Sequence, residues 1–578
     1  MLKKRNLNKY ITVIFLSIIS HGAFCQTFYK GVDLSYVNEL EDCGIQYFDK
    51  DGNEKEVYGI FEANGANIVR LRLWHNPAWT NYSNLADVKK SIKRAKDVGV
   101  EVLLDFHYSD FWTDPGRNWR PEAWEQIDDD NLLGDSLYLY TFNTLQELHT
   151  EGLVPEMVQI GNETNGNILI KRGNADIGGN TPDLYPINWD RQAMLFNRAL
   201  KAVEDFETMN SEDVVTVIHV ASPGSAASWF AEAEENGLTQ FDIIGLSYYP
   251  QYHELGVREV GEQIGLLKER FEKEIMLVEV GYPWTASSAG DNANNVLGAG
   301  GQLPTYDSYS AQVQKEFLTE LTWLVKDNGG AGVIYWEPAW VASTCQTYWG
   351  TGSHWDNATL FDFDHKPHAG IDFLSYDYSV KPEALEDQKV TFIVDMTAID
   401  TENGVYVTGD FTGSSWTLIP MTLAKNNLYE LESTIPGRTA GAYVFYNDDD
   451  WSAENRESVP ELCASVWNTH REYRIKGEAT SVHFSWGRCD QTPNEAILFN
   501  SNDVKSTSFL FPTIAEHSIQ IKNIQTTHQV ALYDSSGKIF RLNSVGNDEF
   551  SVTHLPGGLY FIRLTNDQES IALKFLKK

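Results

Sequence analysis

The sequence predicts an α/β chain, a (β/α)8 or TIM barrel followed by two small all-β sandwich domains. Three observations carry this reading. Between Thr27 and about Asp372, strand-like apolar runs alternate with helical patterns, the order of a parallel sheet with crossover helices. Residues 389–490 and then the stretch from about Ser518 onward change to short alternating strands separated by turn residues. The length, 578 residues, exceeds what one hydrophobic core organises. The expected segments are a signal peptide at 1–25, the barrel at 26–380, a β-sandwich at 388–490 and a terminal module at 505–578.

At the start of the chain Lys3, Lys4, Arg5 and Lys9 precede an apolar run from Tyr10 to Ser20 and then His21-Gly22-Ala23-Phe24-Cys25, the layout of a secretory signal. The run is shorter than the ~20 residues of a membrane-spanning helix. Phe24 stands where a lipoprotein signal has a small residue, so Cys25 is read as the end of the cleaved peptide. Export leaves Cys43, Cys345, Cys463 and Cys489, an even number compatible with disulfides. Cys463 with Cys489 is the preferred pair. Cys43 and Cys345 follow the first and eighth strands, neighbours in a closed barrel, and a bridge between them is open.

The barrel strands are expected at Lys30–Tyr36, Asn67–Trp74, Glu101–Tyr108, Met157–Glu163, Val214–Ala221, Asp242–Tyr249, Ile275–Gly281 and Gly332–Trp336. Between the second and third, Val88, Ile92, Ala95 and Val98 fall at helical spacing among Lys89, Lys90, Lys93, Arg94 and Lys96. Eight such units suit a barrel with enlarged loops, since these barrels run from ~200 to over 400 residues. A doubly wound open sheet is the alternative, weakened because no Gly-rich phosphate loop follows the first strand.

Composition narrows the function. A net charge of −36 repels phosphate backbones, so nucleic acid is not an expected partner. The 17 Trp then point to sugars as the stacking ligand. In such barrels chemistry sits at the C-terminal strand ends. Those ends are polar here: Arg70, Arg72, Trp74 and His75; Asp105 and His107; Asn162 and Glu163; His219; Ser247, Tyr248 and Tyr249; Glu279; Trp336 and Glu337. Glu163 and Glu279 each end an apolar strand where burial disfavours a charge. Glycoside cleavage needs one carboxylic acid to protonate the departing oxygen and a second carboxylate to attack the sugar or activate water. Three strands apart, these two can converge across the barrel mouth.

The stretches Gly31 to Ser35, Val69 to Trp74, "DFHYSDFWTD" from Asp105 to Asp114, Gly161-Asn162-Glu163, "GLSYYP" from Gly245, "EVGYP" from Glu279, "YWEPAW" from Tyr335 and "WDNATLFD" from Trp355 resemble glycoside hydrolase family 53 over roughly residues 28–375. These are the endo-β-1,4-galactanases of a large clan of retaining (β/α)8 glycosidases. The resemblance implies Glu163 as acid/base and Glu279 as nucleophile. Asn162 is then placed to meet the sugar 2-hydroxyl. Arg70 or Arg72 can hold the nucleophile ionised, and Tyr248 or Tyr249 can donate to it. Trp336 is the candidate floor for the sugar at the cleavage point, with Trp112, Trp284 and Trp355 for its neighbours. His107 is a further candidate contact. No cofactor is expected. Bacterial relatives often carry calcium in the long loop after strand seven, but here that loop, Ala286 to Tyr306, has one carboxylate in Asp291-Asn292-Ala293-Asn294-Asn295. Calcium takes six to eight oxygens, so the polar turn is preferred and a site would need distant help.

In the middle region, "VYVTGDFTGSSW" from Val405 resembles the opening of starch-binding-like sandwich modules, and Trp416, Trp451, Trp467 and Trp486 are candidate sugar platforms or core residues. The end of the chain, with "LYDSSGK" from Leu532, "LPGGLY" from Leu555 and the terminal Lys574-Phe575-Leu576-Lys577-Lys578, resembles the C-terminal sorting domain of type IX secretion substrates. That implies the type IX machinery as a partner and a secreted or surface location. The reading is a monomeric, secreted, retaining endo-glycosidase acting on galactan or type I arabinogalactan. The alternatives are a glucan- or mannan-cutting enzyme of the same clan, and a non-catalytic carbohydrate-binding protein.

Overall fold

Eight parallel strands close on themselves in chain order: β1 Tyr29–Asp33, β2 Ile68–Leu73, β3 Glu101–Phe106, β4 Met157–Ile160, β5 Val215–Ala221, β6 Ile243–Tyr248, β7 Glu274–Val280 and β8 Gly332–Tyr335. β8 pairs back onto β1, Gly31 opposite Ile334, so no sheet edge is left in the barrel. The structure is a computed structural model describing residues 27–173, 183–253, 255–289, 291, 293, 295–298, 301–464, 469–477, 480–489, 509–511, 514–515, 517–522, 529–534, 539–540, 543–544, 549–556, 558–565 and 570–577. The expected signal peptide and Trp467 lie outside these residues.

All eight expected strands are present, and the expectation overshot several ends. The first stops at Asp33 rather than Tyr36, and the fourth at Ile160 rather than Glu163. The reason is backbone direction: Gly161 has φ +82° and Glu163 φ +44°, so the chain leaves the ladder as soon as the apolar run ends. Inside the barrel Ile68, Leu103, Met157, Val217, Ile243, Met276 and Ile334 fill the floor. Outside, a larger apolar layer joins strands to helices. Helix Leu85–Asp97 shows the local logic: the Asn84 side chain accepts the Asp87 N–H at its start, Val88, Ile92 and Ala95 are buried, and Gly99 at φ +79° follows its end.

The chain divides into two compact units, Met1–Thr492 and Pro493–Lys578. In the first, after the barrel, two four-stranded sheets share a core. One has the order Thr422–Lys425, Leu428–Pro436, Asp387–Asp395, Thr480–Ser485, and the other Ile419–Pro420, Tyr406–Gly409, Ala440–Tyr446, Arg471–Arg474. Alternate residues Val390, Phe392 and Val394 meet Val407, Tyr443, Phe445 and Tyr473 between them. Arg438 fastens this sandwich to the barrel: its guanidinium pairs with Glu320 of helix Ala311–Asp327 at 2.8 Å and lies 4.0 Å from the Tyr306 ring centroid. In the second unit, Gln529–Asp534, Ile539–Phe540, Gly558–Thr565 and Ser570–Lys577 belong to a five-stranded sheet, joined by a four-stranded one, around buried Ile519, Ile521, Leu532, Val552 and Ile562. Both candidate disulfides are formed, Cys43–Cys345 and Cys463–Cys489, with Cα–Cα distances of 5.7 and 5.4 Å.

Candidate active site

The barrel mouth is organised by Arg70. Projecting inward from β2 and 1% exposed, it reaches Asp33 of β1 and Asp105 of β3 at 2.8 Å each and Glu279 of β7 at 2.9 Å. It also donates to Asn162 Oδ1 at 2.7 Å and to Gln159 Oε1 at 3.1 Å. Five barrel side chains thus share one guanidinium, whose planar fork suits several oxygens at once. Asn162 in turn donates to the Thr113 carbonyl at 2.9 Å, which fixes its amide. His107 is buried between Asp105, at 2.9 Å, and Thr113 Oγ1, at 3.0 Å, and burial lowers its pKa.

Glu279 has one carboxylate oxygen on Arg70 and accepts the Tyr249 hydroxyl on the other at 2.8 Å. Burial raises its pKa, while Arg70 and Tyr249 pull it down. Glu163 is raised well above the ordinary carboxyl range, first by burial and then by the Glu279 charge, with the Ser247 hydroxyl opposing. The cation and the phenol stand at Glu279 and favour its ionised form, so of the two carboxyls the higher pKa belongs to Glu163. The Glu163 N–H donates to His219 Nδ1 at 3.2 Å, which leaves the His219 proton on Nε2, 2.9 Å from Ser247 Oγ. Burial holds His219 neutral, its pKa well below the usual value. Gly281 is required by packing: a Cβ there would stand 2.6 Å from the Trp355 ring and 2.9 Å from that of Tyr249.

Arg70, Arg72, His107, Trp112, Asn162, Glu163, Tyr249, Glu279, Trp336 and Trp355 all line one cleft of about 520 Å³. Two expected residues do not. Tyr248 points the other way, its hydroxyl on the Leu255 carbonyl and its ring stacked near Phe317. Trp284 packs on Phe363 and His368 and donates to the Asp356 carbonyl. Arg72 serves the wall rather than Glu279. It pairs with Glu337 at 3.3 Å and stacks 4.2 Å from Trp112, with Trp74 and Tyr36 also on its face. Trp355 is buried edge-on against Trp336 at 4.7 Å and props that ring up. Trp336, half-buried, keeps a surface toward the cleft.

Sequence reasoning missed Asp33, Gln159, Trp340 and Trp349 as parts of this site, and named Ser247 only as a polar strand end. Asp33 ends an apolar strand as Glu163 and Glu279 do, and Gln159 is a lone polar residue inside one, so both carried a usable signal. Trp349, 36% exposed beside the short hairpin Gln346–Thr347 and Gly350–Thr351, carried none. In the sandwich, Trp416 donates to Asp410 and packs on His470, Trp486 packs on the core, and Trp451 is 52% exposed.

Among the described residues no three His, Cys, Asp or Glu side chains are grouped to hold a metal ion. In the loop after β7, Asp291 accepts N–H groups of Ala293, Ser343 and Ser353. Its charge and burial both raise the pKa of Asp356, burial more. Asp356 Oδ1 and Asn295 Oδ1 are buried without a hydrogen-bond partner.

Comparison with known proteins agrees with this geometry. The sequence profile of glycosyl hydrolase family 53 matches residues 29–374, and that of the secretion system C-terminal sorting domain matches residues 510–578. An arabinogalactan endo-beta-1,4-galactanase of Cellvibrio japonicus is 44% identical over 384 residues, 66% of this chain and the whole of that protein. An endo-beta-1,4-galactanase of Bacillus subtilis is 30% identical over 390 residues, 60% of this chain and 86% of that one. The Ignisphaera aggregans GH53 catalytic domain superposes with a TM-score of 0.53 at 28% identity, covering 60% of this chain and 95% of its own. One of two fungal beta-1,4-galactanases gives 0.51 at 28%, covering 60% and 99%. The sorting domain marks the protein for type IX export, to the cell surface or the medium. A closed barrel with paired carboxyls at its mouth, matched along its whole length, leaves one conclusion: the chain belongs to glycosyl hydrolase family 53.

Proposed function

We propose that this glycoside hydrolase cuts internal β-1,4-galactosidic bonds of galactan and type I arabinogalactan with retention of configuration. The observation that carries the assignment of roles is the asymmetry of the carboxyl pair. Glu279 is held between Arg70 and Tyr249, and Glu163 stands half-buried in the same cleft without a cation of its own. Glu163 gives its proton to the glycosidic oxygen while Glu279 attacks the anomeric carbon, forming a galactosyl-enzyme ester. Glu163, now a carboxylate, takes a proton from water as that water attacks the same carbon, which restores both groups. Asn162, fixed by Arg70 and the Thr113 carbonyl, is positioned for the sugar 2-hydroxyl, and Trp336 for its apolar face. The galactan assignment draws on the named activities of the two bacterial relatives.

The test is reducing-end release by the purified protein from β-1,4-galactan, β-1,4-glucan and β-1,4-mannan. Galactan should be cut fastest, and Glu163→Gln should sharply lower the release. Faster cutting of glucan or mannan would reassign the substrate, and wild-type inactivity on all three would leave a binding protein. In the same reading the protein acts as a monomer, the 388–490 sandwich is a carbohydrate-binding-like module, and Trp451 is its platform. A calcium ion, where bound, would be held by Asp291, Asn295 and Asp356, and the unpartnered Oδ1 atoms of Asn295 and Asp356 support the fit. It would tie the loops after β7 and β8 together without entering the chemistry.

A further inference from the structure

Beside Glu163 the cleft wall is a closed turn in the loop after β3. Asp114 and Arg117 exchange two backbone hydrogen bonds of 2.9 Å, and Asp114 Oδ1 accepts the Gly116 N–H at 2.8 Å. Pro115 and Gly116 are the residue types such a turn favours. Asn118 Nδ2 donates to the carbonyls of Asp114, at 3.1 Å, and Glu163, at 3.3 Å, so the turn rides on the backbone of the acid. Asp114 Oδ2 holds Arg117 Nε at 2.7 Å, and both side chains line the cleft. One edge of the guanidinium is therefore in use within the protein. The other is not: Arg117 Nη1 is buried and has no partner among the described residues. A buried charged donor without an acceptor is costly, and such atoms call for a ligand or water to complete them.

The chemistry says which part of a ligand passes here. Glu163 protonates the oxygen that departs with the leaving sugar, so groups that flank Glu163 on the side away from Glu279 stand along the departing chain. The Asp114 charge bears on Glu163; Tyr249, Asp105 and Asp33 bear on Glu279, and Arg70 bears on both. A guanidinium N–H next to a carboxylate oxygen offers one donor and one acceptor side by side. That is the complement of a vicinal diol, in which each hydroxyl can donate and accept.

We propose that Asp114 and Arg117 bind the sugar on the leaving-group side of the scissile bond, Arg117 Nη1 donating to one ring hydroxyl and Asp114 accepting from its neighbour. The proposal rests on the galactanase reading for the identity of that sugar. It makes Arg117 a determinant of polymer cleavage with little part in cleaving substrates that carry no sugar beyond the bond.

The test compares full-length wild type with Arg117→Met and Arg117→Lys on two substrates, β-1,4-galactan and a dinitrophenyl β-1,4-galactobioside, whose leaving group has no ring hydroxyls. In Arg117→Met, kcat/KM on galactan should fall about tenfold to a hundredfold, the worth of a hydrogen bond from a charged donor, and the fall on the aryl substrate should be far smaller. Arg117→Lys should recover part of the galactan loss. Equal losses on both substrates would show that Arg117 only supports Glu163, and no loss on galactan would remove it from binding; either overturns the proposal. Wild type inactive on galactan would instead overturn the assignment of function, and this proposal with it. Should Arg117→Met fail to fold, the same ratio read from Arg117→Lys decides the matter.

Discussion

Two buried arginines meet carboxylates in opposite ways. In the sandwich, Arg471 and Glu457 form a closed pair, with Nη2 on Oε2 at 2.7 Å and Nε on both carboxylate oxygens. Glu457 also accepts the Phe445 and Gly487 N–H groups, and Arg471 donates to the Ser485 and Arg488 carbonyls. At the barrel mouth Arg70 is shared by Asp33, Asp105 and Glu279, and Glu163 adds a further carboxyl without a further cation. A one-to-one pair with every polar atom satisfied holds structure together. A surplus of carboxyls around one cation favours the proton on the one it does not touch, as an acid requires.

The contrast can be broken or sharpened by measurement. Glu279→Gln should lower kcat on galactan by at least about 10⁴-fold and Glu163→Gln by about 10²–10⁴-fold, and an activated aryl leaving group should relieve the loss in Glu163→Gln alone. Rescue of Glu279→Gln instead would reverse the two roles. Arg70→Met removes the cation from three carboxylates, a change of the kind that costs about 3–5 kcal/mol at a buried ion pair. Because Arg70 holds the Glu279 pKa down, its loss should also move the acidic limb of kcat/KM to higher pH. An unmoved limb would take Arg70 out of the electrostatics. Tyr249→Phe deletes one donor to Glu279 and should shift the same limb upward by less, with about a tenfold to hundredfold fall in kcat/KM. Arg471→Met should cost similar stability to Arg70→Met, visible as a lower Tm, while kcat and KM of the folded fraction stay at wild-type values. A fall in kcat would erase the distinction between the two arginines. The smallest effect is expected from chelation: EDTA should lower Tm and calcium restore it, and an indifferent Tm would dismiss the ion.

Much of the barrel was legible because apolar runs of barrel strands are continuous. β4 reads Met157-Val158-Gln159-Ile160, and no helix face could bury that run as simply. The carboxyl pair was legible for the same reason in reverse, as charge at the end of such runs. Tyr248 against Tyr249 could have been decided from alternation: Ser247 faces the mouth, so Tyr249, two residues on, shares its side and Tyr248 does not. Trp284 misled because distance along the chain from Glu279 says nothing about direction once the strand has ended at Val280. Trp349 and Arg117 were invisible, since both sit in loops whose paths are set by partners far away in sequence.

By itself the sequence determined the order of the strands, the two carboxyls at their ends and the export module, because each is written in local pattern: period, burial preference and short motif. Only the tertiary structure decided which carboxyl lies beside a cation, which tyrosine reaches Glu279 and which guanidinium nitrogen is left without a partner. Those depend on separations of a few ångströms between residues far apart in the chain, as between Arg70 and Glu279 at 2.9 Å. Electrostatic and hydrogen-bond energies in a buried site change over such distances, and a linear sequence does not contain them.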